Sequence, residues 1–157
     1  PSLLLIEVLS ADGSALRTYT LNVTRQSSAF VAWQDGNFGS DAGDPAIAGP
    51  LADPSGDGID NLKKYAFGLD PNIQSVAGLP VAVRSENGIT LTYTRVLAAT
   101  DLTYQVEWTT NLVDWNSSGV TEQILSDDGT TQQIRASVPA GTGSRMFVRL
   151  ALSLQQP

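Results

Sequence analysis

The chain has 157 residues, 41% of them hydrophobic and 16% charged, with a formal net charge of -7 and neither cysteine nor histidine. Nine lysines and arginines, adjacent only at Lys63 and Lys64, exclude a phosphate-tracking surface and with it a nucleic-acid partner; the missing residue types exclude disulfides, zinc-cysteine sites and an imidazole base. No apolar run reaches the ~20 residues of a spanning helix, so no membrane insertion is expected, and the length suits two small modules that each bury a modest core.

In chain order, residues 3–9 and 16–24 are β-rich runs, the second alternating cleanly, joined by the turn formers Ala11, Asp12, Gly13 and Ser14. They predict a hairpin. An isolated hairpin is marginal in water, and Leu3 and Leu5 give this one an apolar first strand, so it is expected to pack on something. Residues 29–38 carry Phe30, Val31, Trp33 and Phe38 and predict a short helix ended by Gly36. A Gly- and Pro-rich loop follows. Residues 60–67 predict a second helix with Leu62, Tyr65 and Ala66 on one face, Asp60 complementing the dipole and Gly68 stopping it. Leu69, Asp70, Pro71 and Asn72 make its exit turn.

Beyond Leu79 the pattern turns to strands, at 81–85, 89–95, 102–109, 120–125, 130–138 and 145–152, separated by turn chemistry at 86–88, 127–129 and 139–143. Short strands with period-two alternation predict a β-sandwich of fibronectin-like size. The expected fold class is mainly β, in three segments: a hairpin over 1–28, a helix-loop-helix over 29–78 and a small β-sandwich over 79–157.

The chemically loaded stretch is Asp53-Pro-Ser-Gly-Asp-Gly-Ile-Asp-Asn-Leu-Lys-Lys-Tyr65. Calcium takes about six to eight hard oxygens, and an EF-type loop presents them at alternate positions, with glycine sixth at the bend and a bidentate glutamate twelfth. Counting from Asp53, the candidate ligands are Asp53, Ser55, Asp57, the Ile59 carbonyl and Asn61, with Gly58 at the bend and Lys64 in the glutamate position. Two readings stand. In one, calcium binds, Asp44 or water completes the shell and Lys64 swings out to solvent. In the other, the Lys64 ammonium takes the cation's place and pairs with Asp53 or Asp57. In both, the loop fixes the second helix against the sandwich.

Residues 8–25, with their Ala-Asp-Gly-Ser turn and Arg-Thr-Tyr-Thr-Leu-Asn-Val-Thr-Arg ending, resemble the last two strands of bacterial cadherin-like β-sandwich repeats. The resemblance implies that the upstream strands of that sandwich are absent, leaving the hairpin as a docked remnant or as strands donated to a neighbouring chain. Residues 43–71 resemble the segment that precedes the C-terminal end of large secreted bacterial proteins, akin to thrombospondin type 3 and dockerin calcium loops. Those loops have aspartate where Ser55 stands and glutamate where Lys64 stands. The resemblance continues through Tyr104-Gln-Val-Glu-Trp-Thr-Thr-Asn-Leu-Val-Asp-Trp115 and Arg145-Met-Phe-Val-Arg-Leu150, which resemble a strand pair and closing strand of the small sandwich that follows such loops.

Catalysis is not expected. Asp127 and Asp128 fall in a turn, Asp41 and Asp44 in a loop and Glu107 in a strand, so spacing places no carboxylate pair for acid and base work, and no nucleophile elbow occurs. The resulting expectation is a secreted or surface-displayed bacterial structural module, trimmed from something longer, for attachment or assembly. Its sharpest form is a fibre subunit that adds Leu3, Leu5 and their backbone to the open sheet of another copy. The competing expectation is a carbohydrate-binding or adhesive appendage of a larger enzyme, stacking sugars on Trp33, Trp108 or Trp115.

Overall fold

The computed structural model describes residues 2–9, 16–23, 28–86, 88–139 and 145–155, the first two stretches as backbone. The expected hairpin turn at 11–14, Asn87 and residues 140–143 of the last expected turn lie outside the described residues. The chain is mostly β, with antiparallel sheets and two short α-helices.

Strands β1 (Ser2–Leu9) and β2 (Leu16–Val23) pair antiparallel and, among the described residues, with no other strand. Leu4 and Ile6 stand across from Leu21 and Tyr19, whereas Leu3 and Leu5 stand across from Asn22 and Thr20. Opposed residues of an antiparallel pair share a face. The side chains of Leu3 and Leu5, the expected assembly residues, lie outside the described residues.

Helix α1 (Ala29–Phe38) begins at Ser28, whose hydroxyl accepts from the Val31 N–H at 3.2 Å. It runs past the expected stop at Gly36, because the Phe38 ring packs edge-on to Trp33 at 5.7 Å and holds the last turn. Gly39, at φ 53°, then takes the backbone conformation that ends the helix. Helix α2 (Asn61–Phe67) has Asp60 as its N-cap, accepting from the Lys63 N–H at 3.0 Å, and ends at left-handed Gly68 as its sequence predicts. Lys64 and Phe67 are buried together with the expected Tyr65 and Ala66. The helix is thus enclosed on more sides than a one-faced amphipathic pattern implies.

Strands β3 (Val81–Ser85), β4 (Gly88–Val96), β6 (Thr121–Asp127) and β7 (Thr131–Pro139) form one antiparallel sheet in the order β3-β4-β7-β6, and β5 (Leu102–Thr109) pairs with β8 (Phe147–Leu154) in another. Alternation sets the buried face: Ile134, Ala136 and Val138 of β7 are buried between exposed Gln133, Arg135 and Ser137. They pack with Leu91 and Tyr93 of β4 and Val106 of β5, and with half-buried Trp108, Val148 and Leu150 of the smaller sheet. A second cluster joins Phe30, Tyr65, Ala66 and Phe67 of the helices to Ala99 and Leu102, with Trp33, Tyr104, Leu150 and Leu152 against it. The helices and the β5-β8 sheet therefore share a core. A β-bulge between Ile124 and Ser126 carries β6 two residues past its expected end.

Candidate functional site: the acidic loop and its lysine

Residues 43–60 are held as a loop by local backbone bonds and by the start of α2. The Asn61 and Leu62 N–H groups donate to the Ala52 and Pro50 carbonyls at 2.8 and 2.9 Å, so the helix's first free donors are spent on the loop that leads into it. Asn61 is fully buried, and its Nδ2 donates to the Ile47 and Gly49 carbonyls at 2.8 and 3.0 Å. Its Oδ1 is buried without a hydrogen-bond partner among the described residues. Position nine of the expected calcium loop thus points its amide donors at the preceding loop.

Asp53 sits at the loop's mouth and accepts from its own following chain. Oδ1 takes the Ser55 hydroxyl at 3.2 Å and the Gly56 and Asp57 N–H groups at 2.9 and 3.3 Å, while Oδ2 takes the Gly58 N–H at 2.7 Å. The Gly58 N–H is the main cause that holds the Asp53 carboxyl below its ordinary value, against the opposing effect of desolvation. Gly56 and Gly58, at φ 71° and 83°, allow the chain to curl around this carboxylate.

Asp57 faces inward. Its Oδ2 lies 2.6 Å from the Lys64 Nζ and 2.9 Å from the Ser75 N, and its Oδ1 accepts from the Ile59 N–H at 2.8 Å. The ammonium, first, and then the Ser75 N–H keep this carboxyl far below the usual carboxylate range. The Lys64 side chain is fully buried and that of Asp57 is 6% exposed. The same Nζ donates to the Ile73 carbonyl at 2.8 Å, so one ammonium joins the acidic loop, helix α2 and the turn that leaves the helix. Gln74 adds a bond from its Nε2 to the Ser55 carbonyl at 2.8 Å.

The expected ligands are thus gathered within one short segment, but the carboxylate oxygens of Asp53 and Asp57 already accept from protein donors. Ser55 donates its hydroxyl proton to Asp53, Ile59 is buried, and exposed Asp44 accepts from the Ala46 N–H at 2.9 Å. Among the described residues no three acidic side chains converge as a metal cluster. The Ile73 carbonyl and the Ser75 N–H were not legible as partners. Their only signal was the exit turn at 69–72, which sends the chain back past the loop.

The expected sugar-stacking indoles each have protein partners. Trp33 lies among Phe30, Phe38 and Tyr65, Trp108 donates its Nε1–H to the Ser118 carbonyl at 2.9 Å, and the Arg149 guanidinium stands 4.0 Å over the Trp115 ring. Arg149 also pairs with Glu107 at 2.7 Å. Asp127 and Asp128 accept from the backbone and side chains of their own turn, at Gly129, Thr130, Thr131 and Gln132.

Away from the loop, an apolar groove of about 380 Å³ is lined by Leu79, Pro80 and Ala82 of the approach to and start of β3, Leu91 of β4, Phe67 of α2, and Val148, Leu150 and Leu152 of β8, with Lys63 and Arg149 on its lining as well. Among the described residues, strand β8 pairs on one side only, with β5. No helix among the described residues is long and apolar enough to cross a membrane. Comparison with protein-family models, curated proteins and solved structures finds no match to the chain.

Proposed function

We propose that the protein is a non-catalytic structural module of the bacterial exterior, built on a small fibronectin-like β-sandwich, and that it assembles by adding the β1-β2 hairpin of a second copy along the free edge of β8. The observation that carries this reading is the pairing of two incomplete surfaces. One is a two-stranded sheet whose outer strand borders an apolar groove, and the other is a hairpin that pairs only with itself among the described residues. Strands β1 and β8 each have eight residues, so one fits the length of the other. Strand addition satisfies the row of backbone donors and acceptors that an edge leaves open, and alternate side chains fill the adjoining pockets. The apolar composition of the first strand, with Leu3 and Leu5 as the expected assembly residues, suits the aliphatic lining of the groove.

Secretion and surface display rest on the resemblance of residues 43–71 to segments of large secreted bacterial proteins. The pairing of Glu107 with Arg149 and the turn bonds of Asp127 and Asp128 support a non-catalytic role, since these carboxylates have structural partners. The carbohydrate-binding alternative draws no support from the three indoles, each of which is engaged within the protein.

The test is solution mass by light scattering across a dilution series. Assembly predicts growth with concentration above 16.6 kDa, abolished by Ala82→Glu, which sets a carboxylate in the groove from an exposed position. A wild-type mass that stays at the monomer value at every concentration rejects it.

A further inference from the structure

The resemblance of residues 43–71 to calcium loops raises a question that the geometry answers. A divalent ion needs about six to eight oxygens free to turn toward it. Both oxygens of Asp53 are engaged by hydroxyl and backbone N–H donors, Asp57 receives the Ser75 and Ile59 N–H groups as well as an ammonium, and Asn61 points its donors at the carbonyls of Ile47 and Gly49. The residue in the bidentate position is Lys64, and its side chain does not swing out: it is fully buried, with Nζ between Asp57 and the Ile73 carbonyl.

We infer that Lys64 is the resident cation of this loop, a covalently tethered ammonium doing what a bound divalent ion would do, so that the brace between loop, helix and exit turn is independent of calcium. A buried lysine is rare unless paired, because desolvating an ammonium is costly without a carboxylate and further acceptors around it. Here it has both, an anionic oxygen at 2.6 Å and a carbonyl oxygen at 2.8 Å, and they come from opposite sides of the helix in sequence, at positions 57 and 73. A metal would cross-link the same segments, but it would dissociate when the surroundings ran short of it. The lysine cannot leave, so this joint keeps its rigidity wherever the protein goes and carries no calcium response.

The experiment compares thermal unfolding in calcium and in chelator, together with terbium luminescence as a direct probe of an ion in the loop, for wild type, Lys64→Glu and Lys64→Met. Wild type is expected to melt at the same temperature in both media and to give no saturable terbium signal. Lys64→Glu, which restores a carboxylate at the twelfth position and leaves Asp57 beside it, is expected to melt lower than wild type in chelator, to regain stability in calcium and to bind terbium saturably. Lys64→Met keeps the length of the stem without the charge, and is expected to melt lower than wild type equally in calcium and chelator. A wild-type melting temperature that falls in chelator, or a saturable terbium signal from wild type, would overturn the inference, as would a Lys64→Glu protein that folds but ignores calcium. If Lys64→Glu does not fold, Lys64→Met decides: stability equal to that of wild type would show that the ammonium holds nothing. None of these readouts involves assembly, so the mass series for strand addition succeeds or fails separately.

Discussion

The Tyr65 hydroxyl donates to Asp101 Oδ1 at 2.7 Å, across 36 residues of chain, and the other carboxylate oxygen of Asp101 accepts the Phe30 N–H at 2.8 Å. One side chain from the turn before β5 therefore receives both helices, one through a side chain and the other through a first-turn backbone donor. Phe30 and Tyr65 also meet edge-on, with ring centroids 5.2 Å apart, so the polar contact and the aromatic contact fix the same angle between α1 and α2. Burial pushes the Asp101 carboxyl upward, but the Phe30 N–H and the Tyr65 and Ser28 hydroxyls outweigh it and hold the group below its ordinary value.

Asp101→Ala leaves the Tyr65 hydroxyl and the Phe30 N–H without their acceptor. Each unsatisfied buried donor costs about 1–3 kcal/mol, and a domain of this size loses roughly 2–4 °C of melting temperature per kcal/mol. Tyr65→Phe removes donor and demand together and is expected to cost less, about 0.5–1.5 kcal/mol. A double-mutant cycle by urea unfolding checks the pairing: additive effects would show that the two side chains do not act through one bond.

A second prediction concerns the loop. Gly49 is buried, its carbonyl accepts from Asn61, and a Cβ built on it collides with the Pro45 carbonyl oxygen. Backbone on backbone cannot yield by a rotamer change, so Gly49→Ala must shift the loop and weaken the bond from Asn61. The expected loss is about 1–3 kcal/mol. Gly36→Ala is the control: a Cβ there meets nothing, and an alanine inside α1 is favoured by roughly 0.5–1 kcal/mol over glycine. Thermal melts that rank Gly36→Ala below Gly49→Ala would contradict this account.

That contrast also explains what the sequence made legible. Gly68 and Asp60 bound α2 as expected because capping is local: the N-cap oxygen reaches three residues along, and a left-handed glycine ends the ladder by its own φ. Gly36 misled because a glycine stops a helix only where the backbone turns to positive φ, and the edge-on packing of Phe38 on Trp33 moved that point to Gly39. Strand positions followed from alternation, but the bulge in β6 and the exposed faces of β3 depend on neighbouring strands. In the loop, the acidic residues and the misplaced Lys64 were readable from spacing. The partners that decide the site's chemistry were not: Ile73 and Ser75 reach it through the turn that leaves α2, which carries no local pattern.

Acid should unfold the protein through its carboxylates. The carboxyls of Asp53, Asp57, Asp101, Asp127 and Asp128 are all held below the ordinary value of 3.8 in the folded chain. A depressed folded value means that the unfolded chain binds protons first as pH falls. Stability from these groups is therefore complete above about pH 4–5 and is lost progressively below it, as protonation approaches the folded values. Urea midpoints measured through that window should fall with pH. Lys64→Met should flatten part of the dependence, because the ammonium is the largest cause of the Asp57 shift.

The alkaline limit has a different origin and a sharper signature. Tyr104 donates its hydroxyl to the Ala66 carbonyl at 2.7 Å and stacks on Tyr93 with centroids 6.0 Å apart, which ties the C-terminal turn of α2 to both sheets. Desolvation pushes the Tyr104 hydroxyl up to about 12, and desolvation is also the leading cause that raises Tyr65 and Tyr93, which donate to Asp101 and Glu122. For a group whose folded value is raised, stability is complete below the unfolded value of 10.0 and falls as pH climbs from there toward the folded value. Three tyrosines acting together should make alkaline unfolding steep above about pH 10, with tyrosinate absorption from these rings appearing in step with loss of structure. Tyr104→Phe removes one contributor and one hydrogen bond, so it is expected to lower stability by about 1 kcal/mol at neutral pH and to lessen the alkaline slope. Tyrosinate absorption from all four tyrosines titrating near 10.0 while the fold persists would contradict the burial of these hydroxyls.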